Sequence, residues 1–111
     1  MEVKYVRHKN IDKKNRTEFL LINWDYEDEN DYLAKLFCKE FGMVSEEKVD
    51  NIWFSIIKLV GDNVSYELLW HEDTGNMIYS IKQDYNTTKA LEERLKIVLC
   101  KLNEKLKSSE C

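Results

Sequence analysis

The chain has 111 residues, a length that allows one domain with a single core and leaves too little material for a second. Hydrophobic residues make up 43% of it, and with only three glycines and no proline this composition argues against a disordered chain. The net charge is −4, and residues 23–50 carry nine acids against three bases, so the acidic centre disfavours binding to nucleic acid.

Cysteine usage and the distribution of apolar residues indicate the compartment. The three cysteines, Cys38, Cys100 and Cys111, are widely separated and odd in number, so neither a disulfide framework nor a zinc site is expected. The first residues do not resemble a signal peptide, and no apolar run reaches the ~18 residues that span a bilayer. We therefore expect a soluble, cytoplasmic protein with reduced thiols and no membrane partner.

The first two predicted elements are strands. Residues 2–7 alternate loosely and predict an edge strand, whereas the basic, polar run 8–16 predicts a loop. Residues 17–23 contain four consecutive apolar residues between polar ones, which is typical of a buried strand. The two strands are expected to form a hairpin across that loop.

A helix is predicted next, from Asp28 to Phe41, followed by Gly42 as its C-cap. Apolar residues recur at helical spacing along one side, at Leu33, Leu36, Phe37 and Phe41. Acidic side chains in the first turn are favourable beside the positive end of the helix dipole. Some of the acidic residues near position 28 therefore have a structural explanation as well as a functional one.

Residues 52–84 predict an antiparallel meander of three strands, at 52–60, 64–71 and 77–84. The two separators, 61–63 and 73–76, are rich in Gly, Asp and Asn and have turn chemistry. The middle strand alternates between an apolar face and a more polar one. One side of the sheet should therefore be covered by helices and the other partly wet.

The last element is a helix from Thr87 or Thr88 to about Lys107, with a broad leucine stripe and a frayed tail at 108–111. Asn86, Thr87 and Thr88 are its candidate N-caps. The element order is β-β-α-β-β-β-α. We expect one α+β domain over residues 1–111, in which two helices pack on one face of an antiparallel sheet.

The segment from Trp24 to Tyr32 is the strongest functional signal, because it places five carboxylates among three aromatic rings. Clustered charges stay solvated, and aromatic rings commonly anchor protein interfaces. This mixture predicts a surface that binds a partner protein with a basic surface, extended by the acidic turn at 72–73 if the fold brings that turn near. The predicted contact residues are Trp24, Asp25, Tyr26, Glu27, Asp28, Glu29, Asp31, Glu72 and Asp73.

Catalytic and cofactor signatures are weak. His71 with Glu67, Glu72 and Asp73 is a conceivable metal or acid–base group, but Glu67 and His71 are four residues and roughly 13 Å apart along a strand. No glycine-rich phosphate loop, calcium loop or nucleophile beside a base occurs. We expect neither enzymatic activity nor a cofactor.

In size, charge pattern, α+β order and the Trp24–Tyr32 segment, the chain resembles the small acidic immunity proteins that bacteria make beside contact-delivered toxins. The resemblance implies an inhibitor that covers a basic active-site or substrate-binding surface of a toxin, and it assigns no residue roles. Two alternatives remain open. One is a small acidic secretion chaperone or adaptor, dimeric as such proteins commonly are, and the other is a metal-dependent enzyme built around His71.

Overall fold

The computed structural model describes residues 2–25 and 27–109, and it confirms the predicted class: two helices pack against an antiparallel sheet. Within these residues the elements are β1 (Lys4–Asn10), β2 (Arg16–Ile22), α1 (Glu27–Phe41), β3 (Val44–Ser45), β4 (Val49–Asp50), β5 (Phe54–Gly61), β6 (Val64–His71), β7 (Gly75–Ser80) and α2 (Tyr85–Ser109). The strands β3 and β4 were not predicted, because two-residue strands are too short to show a periodic pattern.

The sheet joins the N-terminal hairpin to the meander. The strand order is β1-β2-β7-β6-β5, with β3 and β4 both pairing along the outer edge of β5, and all pairs are antiparallel. The central junction pairs Phe19 of β2 with Ile78 of β7. This pairing places the N-terminal hairpin beside the last strand of the chain. In the sequence, α1 and the strands β3 to β6 lie between the two.

The core lies between the helices and one face of the sheet. Fully buried side chains on that face include Phe19, Leu59, Tyr66, Leu68 and Ile78. The helices bury Leu33 and Phe37 of α1 and Leu91, Leu95, Val98 and Leu102 of α2 against them. The alternation predicted for the middle strand is confirmed, since Tyr66 and Leu68 are buried whereas Ser65, Glu67 and Leu69 are half-buried on the opposite face.

The N-terminal hairpin is longer and its loop shorter than predicted. β1 continues to Asn10 and pairs in full register with β2, so residues 8–10 belong to a strand and not to a loop. The connection is a 3₁₀ turn at Ile11–Lys13 followed by Lys14 and Asn15, both with positive φ. Cross-strand pairing with β2 overrides the polar composition that predicted a loop here.

The boundary between β7 and α2 also differs from the prediction. β7 ends at Ser80, and α2 begins at Tyr85, where Asp84 acts as the N-cap instead of Asn86, Thr87 or Thr88. Its Oδ1 accepts a hydrogen bond from the Thr87 N–H at 2.7 Å and its Oδ2 one from Thr87 Oγ1 at 2.9 Å. α2 continues to Ser109, so the predicted tail is helical over 108–109, and residues 110 and 111 lie outside the described part. No helix in the described ranges is long and apolar enough to cross a membrane.

The other face of the sheet carries no packed element within the described residues. A continuous row of apolar residues crosses it from β1 to β4, each paired with the next across neighbouring strands. This apolar row consists of Val6, Leu20, Met77, Leu69, Ile56 and Val49. Its ends are open to solvent, with Val6 50% and Val49 57% exposed.

A polar network lies beside the apolar row on the same face. The guanidinium of Arg16 stacks over the Tyr79 ring at 3.6 Å and donates from Nε to Glu18 Oε2 at 2.8 Å, which leaves the Glu18 carboxylate 1% exposed. The Tyr79 hydroxyl donates to Glu67. Burial, together with this hydrogen bond, raises the pKa of Tyr79.

Candidate functional site

The aromatic part of the predicted site is not where the sequence placed it. Trp24 is only 7% exposed and belongs to the core, so its expected role as a surface anchor is wrong. Its Nε1 donates to the Glu29 carbonyl at 3.1 Å, and its ring lies 6.3 Å from that of Tyr32. The indole holds the start of α1 against the sheet instead of facing a partner.

The segment after Trp24 is fixed to the end of the sheet formed by β6 and β7. Trp70 Nε1 donates to the Asp25 carbonyl at 3.1 Å, and Asn76 Nδ2 donates to the Trp24 carbonyl at 2.8 Å. Asp25 itself is exposed and lies against Gly75, at the end of the turn that carries Glu72 and Asp73. The fold therefore brings the two acidic segments of the sequence together.

The remaining carboxylates lie on α1 and on β4. Asp28 is exposed, Glu29 is half-buried, and Asp31 pairs with Lys48 at 3.5 Å. Lys48 also lies 3.7 Å from Asp50. Asp50 was not among the contact residues predicted from the sequence. We call the surface formed by these groups the acidic end; it comprises Asp25, Asp28, Asp31, Asp50, Glu72 and Asp73.

An exposed aromatic residue does adjoin the acidic end, but it is Trp53. Its side chain is 59% exposed and that of Ile52 is 82% exposed. The Glu72 N–H donates to the Trp53 carbonyl at 2.9 Å, which places the Trp53 backbone beside the acidic turn. Both residues were predicted to lie inside a strand, but the strand starts later, at Phe54. The preceding Asn51 is a turn-forming residue that signals this start, since its Oδ1 accepts the Trp53 N–H.

Two predicted contact residues are not placed by the structure. Tyr26 lies outside the described residues, and of Glu27 only the backbone, at the start of α1, lies within them.

The acidic end is only partly neutralised by the chain itself. Lys48 pairs with Asp31 and Asp50, whereas Asp25, Asp28, Glu72 and Asp73 form no ion pair with another described residue. Like charges held together without counter-ions create a negative potential that extends into solvent and is screened over about 8 Å at physiological salt. Such a surface attracts a cationic partner.

His71 has a structural role in the acidic turn. Its Nδ1 accepts the Asp73 N–H at 3.1 Å, and its carbonyl accepts the Thr74 N–H at 3.2 Å. Glu67 is bound by Tyr79 and not by His71. Among the described residues, no three His, Cys, Asp or Glu side chains converge as a metal site would require, so no observation favours the metal-enzyme alternative.

Comparison of the chain with protein-family models, with curated proteins and with solved structures found no match.

Proposed function

We propose that the protein is a protein-binding inhibitor, an immunity protein that neutralises a cognate bacterial toxin by covering a basic active-site or substrate-binding surface with its acidic end. The observation that carries this proposal is the junction between Asp25 and the 72–75 turn, which gathers carboxylates from distant parts of the chain on one exposed surface. Folding assembles these charges although their mutual repulsion opposes it.

The composition of the acidic end fits an interface of this kind. Exposed carboxylates accelerate the encounter with a cationic partner through electrostatic steering. Trp53 and Ile52 supply apolar contact area beside them, and tryptophan is enriched among the residues that dominate binding energy. A nuclease or another toxin with a basic cleft would present the complementary surface.

The test compares two triple variants of equal charge change. Asp25→Lys, Asp28→Lys and Glu72→Lys alter the acidic end, whereas Asp12→Lys, Glu40→Lys and Glu93→Lys alter acids elsewhere on the surface. The probe is the toxin candidate encoded by the neighbouring gene, with association measured at low and high salt. We expect the first set to slow association by about tenfold or more and the second to change it little. Equal association rates for both sets would refute this use of the acidic end.

The apolar row favours a second candidate function, that of a secretion chaperone or adaptor. A face on which apolar residues run across six strands, with Val6 and Val49 exposed at its ends, can pack against an apolar segment of a client protein. Such binding should depend weakly on salt and should be lost in Val6→Asp with Val49→Asp. The same substitutions should leave an inhibitor that acts through the acidic end nearly unaffected, so the two functions are distinguishable.

A further inference from the structure

The outer edge of β1 exposes backbone hydrogen-bonding groups. The Thr17 N–H donates to Gln83 Oε1 at 2.8 Å, and this bond lies on the side of β2 that faces β7. Successive residues of a strand direct their backbone N–H and C=O groups to opposite sides, so Glu18 and Leu20 direct theirs toward β1. Their partners in β1 are His8 and Val6. By alternation, the odd-numbered residues of β1 direct their N–H and C=O groups away from the sheet.

Asn103 of α2 shows what these outward groups can bind. Its Oδ1 accepts the Val3 N–H at 2.8 Å and its Nδ2 donates to the Val3 carbonyl at 3.0 Å, the same two bonds that a neighbouring strand would make. Beyond Val3, the backbone groups of Tyr5, Arg7 and Lys9 have no hydrogen-bond partner among the described residues. One side-chain amide thus satisfies the first outward position, and three positions remain open.

A groove of about 570 Å³ runs between this strand and α2. Residues 2–5 form one wall, and Lys96, Leu99, Cys100 and Leu106 are among the residues of the other. Val3 and Leu99 give it an apolar base. A chain paired with the edge of β1 beyond Val3 would reach this groove at Tyr5.

The charge of β1 selects the occupant. The strand contains Lys4, Arg7 and Lys9 and no acid, in a protein whose net charge is −4. Arg7 lies 3.8 Å from Glu92 of α2, whereas Lys4 and Lys9 form no ion pair with another described residue. Antiparallel pairing of β1 with β1 of a second copy would oppose cations to cations, and lysine on an edge strand is a known protection against such pairing. An acidic strand would be attracted.

We propose that the edge of β1 is a second binding site, which accepts an extended acidic segment of a partner protein as an additional strand over Tyr5–Lys9. The added strand pairs antiparallel with β1, receives three N–H and three C=O contacts from Tyr5, Arg7 and Lys9, and places acidic side chains opposite the basic ones. An apolar residue opposite Val6 lengthens the apolar row by one position. This site is separate from the acidic end. It binds a negatively charged segment, whereas the acidic end binds a positively charged surface.

The experiment uses the full chain and a labelled peptide with the central sequence Glu-Glu-Glu-Val-Val-Glu, which in antiparallel register places valines opposite Tyr5 and Val6. The matched peptides are the same sequence with lysine for glutamate and the same sequence N-methylated at alternate amides. Arg7→Pro removes one outward N–H at an edge position where proline is tolerated. Arg7→Ala, which removes the same charge and keeps the outward N–H, is the matched control, and Ile11→Pro, in the hairpin turn, controls for the introduction of proline. Amide exchange is followed residue by residue.

We expect the acidic peptide to bind and to protect the amides of Tyr5, Arg7 and Lys9 from exchange. The two matched peptides should bind at least about tenfold more weakly. Arg7→Pro should weaken binding about tenfold relative to Arg7→Ala, and Ile11→Pro should not weaken it. Lys4→Glu with Lys9→Glu should weaken it similarly, whereas Lys35→Glu with Lys39→Glu on α1 should have little effect.

Three results would overturn the proposal: no binding of the acidic peptide to the folded wild type, binding without protection of the three amides, or a wild-type dimer that Arg7→Pro dissociates. The last result would identify a second copy as the occupant. Since the peptide assay does not involve the acidic end, its outcome is separate from that of the toxin-binding test.

Discussion

Asp25 packs directly on Gly75: its Oδ1 lies 3.2 Å from the point at which a Cβ of residue 75 would stand. Gly75 also has φ of +75°, a backbone conformation that residues with a side chain adopt at a cost. The contact joins the start of the acidic segment to the turn that carries Glu72 and Asp73. Both the turn conformation and the close approach of Asp25 therefore require glycine at this position.

Gly75→Ala should test this contact. We expect a loss of about 2 kcal/mol in the free energy of unfolding, because strain at positive φ adds to the displacement of Asp25. Gly42→Ala is the matched control, since Gly42 has φ of +64° and no atom within 4 Å of an added Cβ. It should cost about 1 kcal/mol from strain alone. Urea unfolding of both variants measures the difference, and equal losses would show that the Asp25 contact has no energetic effect.

Trp24 and Trp53, two of the three tryptophans near the acidic end, should respond differently to a quencher in solution. Trp53 is exposed and Trp24 is buried, so acrylamide should quench Trp53 far more effectively. Trp70 is half-buried, so Trp53→Phe is combined with Trp70→Phe to leave Trp24 as the single tryptophan, whose fluorescence should be protected. In Trp24→Phe the free energy of unfolding should fall by about 1–3 kcal/mol, because a large core side chain is truncated and the Nε1 bond to Glu29 is lost. Strong quenching of the variant that retains only Trp24 would contradict the burial of that residue.

Stability should decrease at high pH because the pKa values of three tyrosines are raised in the folded protein, among them Tyr66, for which burial is the largest cause. Burial and the hydrogen bond to Glu92 raise the pKa of Tyr5 from its usual 10.0 to about 12, and burial with the Glu67 bond raises that of Tyr79. A raised pKa in the folded state means that the stability is complete below pH about 10 and is lost as the pH rises further. Urea unfolding between pH about 9 and about 12 should show this loss. Tyr79→Phe should reduce this dependence of the unfolding free energy on pH, whereas Tyr85→Phe, at an exposed position, should leave it unchanged.

At low pH the N-cap of α2 should weaken. Hydrogen bonds from the Thr87 N–H and hydroxyl hold the pKa of Asp84 below its usual 3.8. A lowered pKa in the folded state gives stability above that usual value, which is lost as the pH falls through the folded pKa. Asp84→Ala should therefore lower the melting temperature at neutral pH, and its difference from wild type should shrink below pH about 4. Asp73→Ala, which removes an exposed turn carboxylate without a capping role, should show no such convergence.

Much of the fold was predictable from local patterns. The strand at Val64–His71 was predicted to the residue, and the helix ending at Phe41 with Gly42 as its cap is confirmed, with the Gly42 N–H bound to the Cys38 carbonyl at 3.0 Å. Both elements have strong periodicity and clear end signals. The loop predicted at 8–16 was wrong at its ends, since residues 8–10 and Arg16 belong to strands. These polar residues are stabilised by pairing between β1 and β2, which local composition does not reveal.

The candidate site shows a similar division. Its exposed carboxylates, Asp25 and Asp28 with Glu72 and Asp73, were predicted as contact residues, since charged side chains in turns and first helical turns stay in solvent. The aromatic residues were assigned wrongly, because exposure of a ring depends on what packs over it. Trp24 is covered by the sheet and α1, whereas Trp53 projects from a turn that nothing described covers.

The sequence by itself determined the α+β class, the apolar faces of the main elements and the uneven charge, because each follows from local spacing and composition. Only the tertiary structure decided that β2 pairs with β7, that Asp25 meets the 72–75 turn and that β1 has an open edge beside α2. These relationships join residues far apart in the chain, and their energies come from packing and hydrogen bonds that form only once the whole sheet is assembled.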